Sequence, residues 1–140
     1  SLQDIYGEKI NTSYMREVTD LKSYILINNG DSTFKKVILP DLAQTIPILS
    51  SDVFDYDKDG FEDIIVSGNI YNTEVETPRL DNPFALVLLS NNVDGYYCLS
   101  PEITGLYTNG NAKSIQIIDN PKLLLVGNNN ESIESFKINN

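Results

Sequence analysis

The sequence predicts an all-β chain made of antiparallel, blade-like sheets. Three observations favour this fold. Apolar runs of strand length alternate with turns rich in Asn, Gly and Asp. A β-hairpin pattern occurs twice along the chain, and no long stretch shows a helical period. With 140 residues and 41% hydrophobic residues, the chain has the size and composition of one folded domain.

The first element is an N-terminal lead-in, residues 1–21. A short helix or two are expected in DIYGEKINTSYMREVTDLKS, residues 4–23, which begins in this stretch and is the exception to the missing helical period. The strand pattern begins only after it. We therefore expect a short helix followed by a β domain.

The first blade-like repeat is predicted at residues 22–69. It opens with KSYILINNGDSTFKKVILP, in which two apolar strands flank the turn NNGDS, and this pattern is typical of a β-hairpin. The loop DLAQTIPILS then leads to a strongly acidic segment and to the strand in FEDIIVSGN. A polar connecting loop with two prolines follows at residues 70–83.

The second blade-like repeat is predicted at residues 84–140. FALVLLSNNVDGYYCLSP repeats the hairpin pattern and PKLLLVGNN repeats the strand with its Gly-Asn turn, both at an offset of about sixty residues. Two further strands are expected in SIQIID and SIESFKIN. An offset of that length suits a four-stranded antiparallel sheet, so the chain is predicted to hold two repeats of a partial β-propeller.

Composition excludes several classes of function. Ten Lys and Arg stand against twenty Asp and Glu without a basic cluster, which argues against nucleic acid or an anionic membrane as a partner. The apolar runs are too short for membrane insertion. The chain has no histidine and a single cysteine, Cys98, which we interpret as a small buried hydrophobic residue. Histidine-dependent catalysis is therefore excluded within this chain, and we expect no enzymatic activity.

The segment DYDKDGFED, residues 55–63, carries the most specific chemistry. Acids on alternate residues of a tight loop can converge on one cation, and a glycine after the third acid lets the chain turn so that the next carbonyl points inward. Calcium favours six to eight hard oxygen ligands of this kind. An EF-hand would need a glutamate at the twelfth loop position, where this chain has Val66, and helices in place of β-branched strands. The other interpretation is a solvated acidic turn without metal.

This loop and the strand after it resemble the calcium loop of FG-GAP or VCBS repeats, the blades of integrin-α-like β-propellers. The resemblance extends over roughly residues 20–138, including the Gly-Asn pair at 68–69 and PRLD at 78–81. Over this range the chain is similar to the C-terminal propeller portion of secreted bacterial proteins of the ASPIC/UnbV-associated type. The resemblance implies an extracellular, cell-surface or outer-membrane-associated location. The metal ligands that it implies are the side chains of Asp55, Asp57, Asp59 and Asp63 and the carbonyl of Phe61.

The chain departs from the family pattern in two ways. The second repeat has no acidic loop, since the corresponding stretch offers only Asp119, so one calcium site is expected. Two blades also cannot close a propeller, which typically needs four to eight. We therefore expect the chain to be a piece of a longer protein that holds the remaining blades, or to complete itself as a homo-oligomer.

A second candidate site lies in the connecting loop. Arg79 and Asp81 could bind a ligand such as a glycan, with Tyr71 as a stacking surface, whereas the simpler interpretation is a local salt bridge that anchors the loop. The resemblance favours a non-enzymatic calcium-binding module that acts as a scaffold or as an interaction surface for a protein or glycan. The alternative is the non-catalytic fragment of a propeller-type glycan-active enzyme.

Overall fold

The computed structural model of the chain describes residues 1–91, 93, 95–120 and 122–138. Within these residues the chain forms mainly short strands, preceded by one short helix, α1, at Leu2–Tyr6. The strands are β1 (Tyr24–Asn28), β2 (Phe34–Ile38), β3 (Ser50–Phe54), β4 (Asp63–Ser67), β5 (Leu86–Ser90), β6 (Tyr96–Cys98), β7 (Ala112–Asp119), β8 (Lys122–Asn128) and β9 (Glu134–Lys137). A second helical turn, α2, lies at Pro101–Thr104, and 3-10 turns lie at Gly7–Thr12 and Asp41–Gln44.

The strands form three sheets in which every pairing is antiparallel. The orders are β1-β2, β3-β4-β5-β6 and β7-β8-β9. The all-β prediction is confirmed, with antiparallel sheets and a short N-terminal helix. Each of the two predicted hairpins pairs its strands, although Asn92 and Asp94 of the second turn and Pro121, Asn139 and Asn140 of the second repeat lie outside the described residues.

The two inner strands of the central sheet, β4 and β5, are buried on both faces. Side chains of β4 and β5 alternate between two hydrophobic clusters, because successive residues of a strand point to opposite sides. Ile65 and Val87, which face each other across the strands, belong to one cluster, and Val66 and Leu86, the next pair, belong to the other. This double burial explains why both strands are apolar without interruption.

The three sheets are stacked in layers. Ala112, Ile115, Leu124 and Val126 of the C-terminal sheet pack on one face of the central sheet. On the other face lie the β1-β2 hairpin, through Ile25, and the segment after it. Such stacking of small antiparallel sheets is the packing expected of blade-like units.

The central sheet crosses the predicted border between the repeats. It takes β3 and β4 from residues 22–69 and β5 and β6 from residues 84–140. The connecting loop at 70–83 carries only an isolated bridge between Ile70 and Leu80 in place of strands. The division into two repeats with a connecting loop between them therefore stays a prediction.

Candidate functional site

The acidic loop joins two neighbouring strands of the central sheet. β3 ends at Phe54 and β4 begins at Asp63, and these two residues face each other in the register, so the loop starts and ends at the same edge of the sheet. Its first turn is held by the rings of Phe54 and Tyr56, whose centroids are 5.7 Å apart in an edge-on arrangement, and both rings pack against the core. The sequence thus fixes the loop at its base by apolar packing.

Two residues of the loop adopt positive φ angles. Gly60 has φ +91°, and an added Cβ would meet no atom within 4 Å, so glycine is favoured there by conformation rather than by lack of space. Lys58 has φ +62°, which is uncommon for a residue with a side chain. The sharp turn that the sequence predicts at Gly60 is therefore present.

Three of the predicted ligands converge. Asp55, Asp57 and Asp63 each offer a carboxylate oxygen, and these oxygens lie within 4.8 Å of one another. Their environments differ, since Asp57 is exposed, Asp55 is half-buried and Asp63 is only 2% exposed. The arrangement could hold a metal ion, because oxygens at this spacing can reach a common centre.

Backbone amides of the same loop orient two of these carboxylates. Asp55 accepts hydrogen bonds from the amides of Asp59, at 3.1 Å, and Gly60, at 3.0 Å, while Asp57 accepts a second bond from Asp59 at 3.2 Å. Asp59 itself accepts a hydrogen bond from the amide of Phe61 at 2.9 Å and is not one of the three converging acids. Whether Asp59 and the Phe61 carbonyl are ligands stays a prediction.

Asp63 ties the loop to the rest of the sheet. One of its oxygens accepts the amide of Tyr56 at 2.8 Å and the other accepts the amide of Ser90 at 2.8 Å. The sequence pattern did not reveal these two contacts, because their donors are backbone groups that every non-proline residue possesses. No side-chain signal marks Tyr56 or Ser90 as part of the site.

In the part of the chain that the structure describes, no salt bridge joins a Lys or Arg to the three converging acids. Among the described residues, the salt bridges join the N-terminus to Asp4, Lys36 to Asp20 and Arg79 to Asp81. Three close carboxylates repel each other unless positive charge lies between them. The donor set consists of hard oxygens without nitrogen or sulfur, so it fits calcium better than a transition metal.

The predicted binding residues of the connecting loop contact one another. Arg79 forms a salt bridge with Asp81, and its guanidinium lies 4.3 Å from the centroid of the Tyr71 ring. The hydroxyl of Tyr71 is hydrogen-bonded to Asp81 at 3.1 Å and to the carbonyl of Gly110 at 3.1 Å. Burial, followed by the bond to Asp81, raises the pKa of Tyr71 above its usual value. These contacts match the loop-anchor interpretation, and ligand binding by the three residues stays a prediction.

Asn69 is a buried residue for which the sequence predicts a turn and a place in the family resemblance but no structural role. It is 1% exposed, and its side-chain amide donates to the carbonyls of Asn82, at 3.0 Å, and Gly110, at 2.8 Å. Its side-chain oxygen accepts the amide of Asn82 at 2.6 Å. Asn69 therefore joins both ends of the connecting loop to the start of β7.

Cys98 lies in β6 and is half-buried. Burial raises the pKa of its thiol, which disfavours formation of the reactive thiolate. The side chain is less buried than the sequence predicts, and its interpretation as a small hydrophobic residue stays a prediction. Within the described part of the chain, no helix is both long and apolar enough to cross a bilayer.

Comparisons with known proteins match one part of the chain. No curated protein and no solved structure matches it. A family model described as an FG-GAP-like repeat matches residues 15–66, which include the hairpin β1-β2, the strand β3, the acidic loop and most of β4. The association with ASPIC/UnbV modules stays a prediction. The match supports the expected relationship to the FG-GAP repeat family over the segment that contains the acidic loop.

Proposed function

We propose that this chain is a non-enzymatic, calcium-binding module of the β-propeller type, which serves as a scaffold or as an interaction surface for a protein or glycan in an exported bacterial protein. The observation that carries the proposal is the convergence of Asp55, Asp57 and Asp63 within 4.8 Å on a loop already turned by Gly60. The family match over the same segment supports it independently.

Calcium is the cation that fits this loop best. It accepts six to eight oxygens in flexible geometry, so exposed carboxylates, backbone carbonyls and water can complete its shell around three fixed acids. Magnesium demands a near-ideal octahedron and keeps much of its water, so it gains less from such a loop. Asp55, Asp57 and Asp63 would hold the ion, and the resemblance adds Asp59 and the carbonyl of Phe61.

The role of the ion would be structural. Bound calcium would offset the repulsion among the three acids and tie the loop to the beginning of β4, whose side chains form the centre of both hydrophobic clusters. If calcium binds only the folded chain, a concentration of one hundred times its dissociation constant would add about 2.7 kcal/mol to the free energy of unfolding. In the proposed extracellular setting, calcium in the millimolar range would fill even a weak loop site.

A binding or scaffold role fits the rest of the chain better than catalysis. The chain lacks histidine, and Arg79, Asp81 and Tyr71 satisfy one another within the connecting loop. The first sheet has only the two strands β1 and β2, and large side chains on them are exposed, among them Leu26 at 54% and Phe34 at 57%. Exposed apolar positions on a sheet support an interaction with another protein surface.

Isothermal titration calorimetry with calcium chloride tests the proposal. We expect one site per chain, and at least about tenfold weaker binding in Asp57→Asn, since this change removes one of the three converging negative charges without altering the size of the side chain. Glu76→Gln, in the connecting loop, removes one exposed negative charge away from the acidic loop and is the matched control. The absence of saturable calcium binding by the unaltered chain would refute the proposal.

A further inference from the structure

Asp63 connects the acidic loop to the end of β5 in the central sheet. It is the first residue of β4, it is 2% exposed, and each of its two oxygens accepts one backbone amide. The amide of Tyr56 belongs to the loop, whereas the amide of Ser90 belongs to the last residue of β5. A single buried side chain thus contacts both structures.

The contact with Ser90 takes the place of a regular ladder bond. The register between β4 and β5 pairs Ile64 with Leu88 and ends there. Ser90 lies two residues further along, where it pairs with Tyr96 of β6 on one side and donates its amide to the carboxylate of Asp63 on the other. The end of β5 is therefore held toward β4 by a side chain whose position depends on the acidic loop.

We propose that Asp63 is a positioning residue that couples cation binding in loop 55–63 to the order of the end of β5. This inference rests on the proposed calcium-binding function. It deepens that function, because it assigns to the site an effect on a strand that contributes none of the predicted ligands.

The coupling follows from the hydrogen-bonding capacity of a carboxylate. An ionised carboxylate has about four acceptor positions on two oxygens, so two amide bonds leave capacity for a cation. One oxygen of Asp63 lies within 4.8 Å of oxygens of Asp55 and Asp57. A cation that neutralises the repulsion among these acids holds the carboxylate of Asp63 in place, and with it the acceptor for the amide of Ser90.

The coupling is reciprocal. If the bound cation stabilises the bond to Ser90, an ordered end of β5 must in turn strengthen cation binding by the same factor. Without the cation, the acids push apart, and Asp63, the buried member of the group, transmits this strain to both amides. We therefore expect the end of β5 to open more often in the calcium-free chain.

Amide hydrogen exchange followed by NMR tests the coupling, with and without excess calcium. The amide of Asn91 is the internal reference, because it bonds to the carbonyl of Gly95 within the hairpin rather than to Asp63. Calcium is expected to slow exchange at Ser90 at least tenfold more than at Asn91. This ratio separates a local effect from the general stabilisation that any bound ligand produces.

Two variants locate the effect. Asp57→Ala removes one carboxylate of the cluster but keeps both bonds of Asp63, so protection of Ser90 without calcium should be retained and the calcium effect lost. Asp63→Ala, which removes both acceptor oxygens, should expose Ser90 to faster exchange without calcium and abolish the calcium effect. Because Asp63 is buried, its replacement can unfold the chain, so the comparison of the unaltered chain with Asp57→Ala is sufficient by itself.

The outcomes distinguish this inference from the proposed function. If calorimetry records calcium binding but calcium leaves the exchange ratio of Ser90 to Asn91 unchanged, the coupling is refuted while the calcium-binding function stands. If the chain binds no calcium, both are refuted.

Discussion

The carboxylate of Asp52 in β3 accepts a hydrogen bond from the amide of Ile117 in β7 at 2.7 Å. This bond joins the edge strand of the central sheet to the edge strand of the C-terminal sheet. The hydroxyl of Ser50 accepts the amide of Ile115 at 3.0 Å in the same way. Among the described strands, β7 pairs with β8 alone, so side chains of β3 satisfy amides that β7 would otherwise present at an open edge.

Replacing Asp52 by alanine should loosen the contact between these two sheets. The half-buried amide of Ile117 loses a charged acceptor, so we expect the free energy of unfolding to fall by about 1–3 kcal/mol in urea titrations. Asp119→Ala removes an equal charge at the exposed end of β7 and should change stability by less than about 0.5 kcal/mol. Equal effects of the two changes would show that the hydrogen bond contributes nothing specific.

Replacing Asn69 by alanine should release the connecting loop. The buried amide and carbonyl of Asn82 both lose their partner, and each such loss costs about 1–3 kcal/mol, so a decrease of about 3 kcal/mol is expected. Trypsin should then cleave after Arg79, within the loop, faster than in the unaltered chain. Asn72→Ala, at an exposed position of the same loop, is the control. Equal rates of trypsin cleavage in the two variants would contradict the anchoring role of Asn69.

Replacing Gly68 by alanine should be among the most destabilising single changes. An added Cβ would lie 2.2 Å from the carbonyl oxygen of Pro47 and 2.7 Å from the amide nitrogen of Leu49, which are backbone atoms that cannot turn away. We expect a loss of about 3 kcal/mol or more, or failure to fold. At Gly95 an added Cβ would meet only a side-chain atom, at 3.5 Å, so Gly95→Ala should be tolerated. Circular dichroism melts should therefore give a much lower midpoint for Gly68→Ala than for Gly95→Ala.

The raised pKa of Tyr71 predicts a loss of stability in alkali. Burial and the bond to Asp81 make the folded chain hold the phenolic proton more tightly than the unfolded chain. The contribution of Tyr71 is therefore complete below about pH 10 and is lost as the pH rises through its folded pKa. Spectrophotometric titration compares Tyr71→Phe with the unaltered chain, and the difference between the two curves reports the titration of Tyr71. We expect this difference to be centred above the ordinary tyrosine pKa of about 10, and a centre at or below pH 10 would contradict the raised pKa.

Local patterns predicted the strands well because each strand carries its own signal. The runs around Ile65 and Val87 became central strands buried on both faces, and the Asn-rich turn before Phe34 became the turn of a hairpin. The pairing of β4 with β5 across the connecting loop could not be predicted in the same way. Apolar strands do not encode which neighbour they join, so the predicted repeat border and the central sheet do not coincide.

The candidate site was predicted in part for a similar reason. The spacing of acids around Gly60 predicted the convergence of Asp55, Asp57 and Asp63, since alternate residues of a tight loop point to one centre. The link from Asp63 to Ser90 and the buried role of Asn69 were not predictable. Both depend on backbone groups brought together by the tertiary fold, and such groups leave no signal in a single sequence.

Thermal unfolding in excess calcium and in excess chelator shows whether calcium stabilises the folded chain through the acidic loop, with Asp57→Ala and the control Glu76→Ala measured beside the unaltered chain. Calcium is expected to raise the midpoint of the unaltered chain and of the control by several degrees, which corresponds to a gain of about 2.7 kcal/mol at one hundred times the dissociation constant. The Asp57→Ala variant should lose this increase. Identical midpoints in calcium and chelator for the unaltered chain would mean that the three acids form only a solvated turn, and the proposed calcium-stabilised module would be wrong.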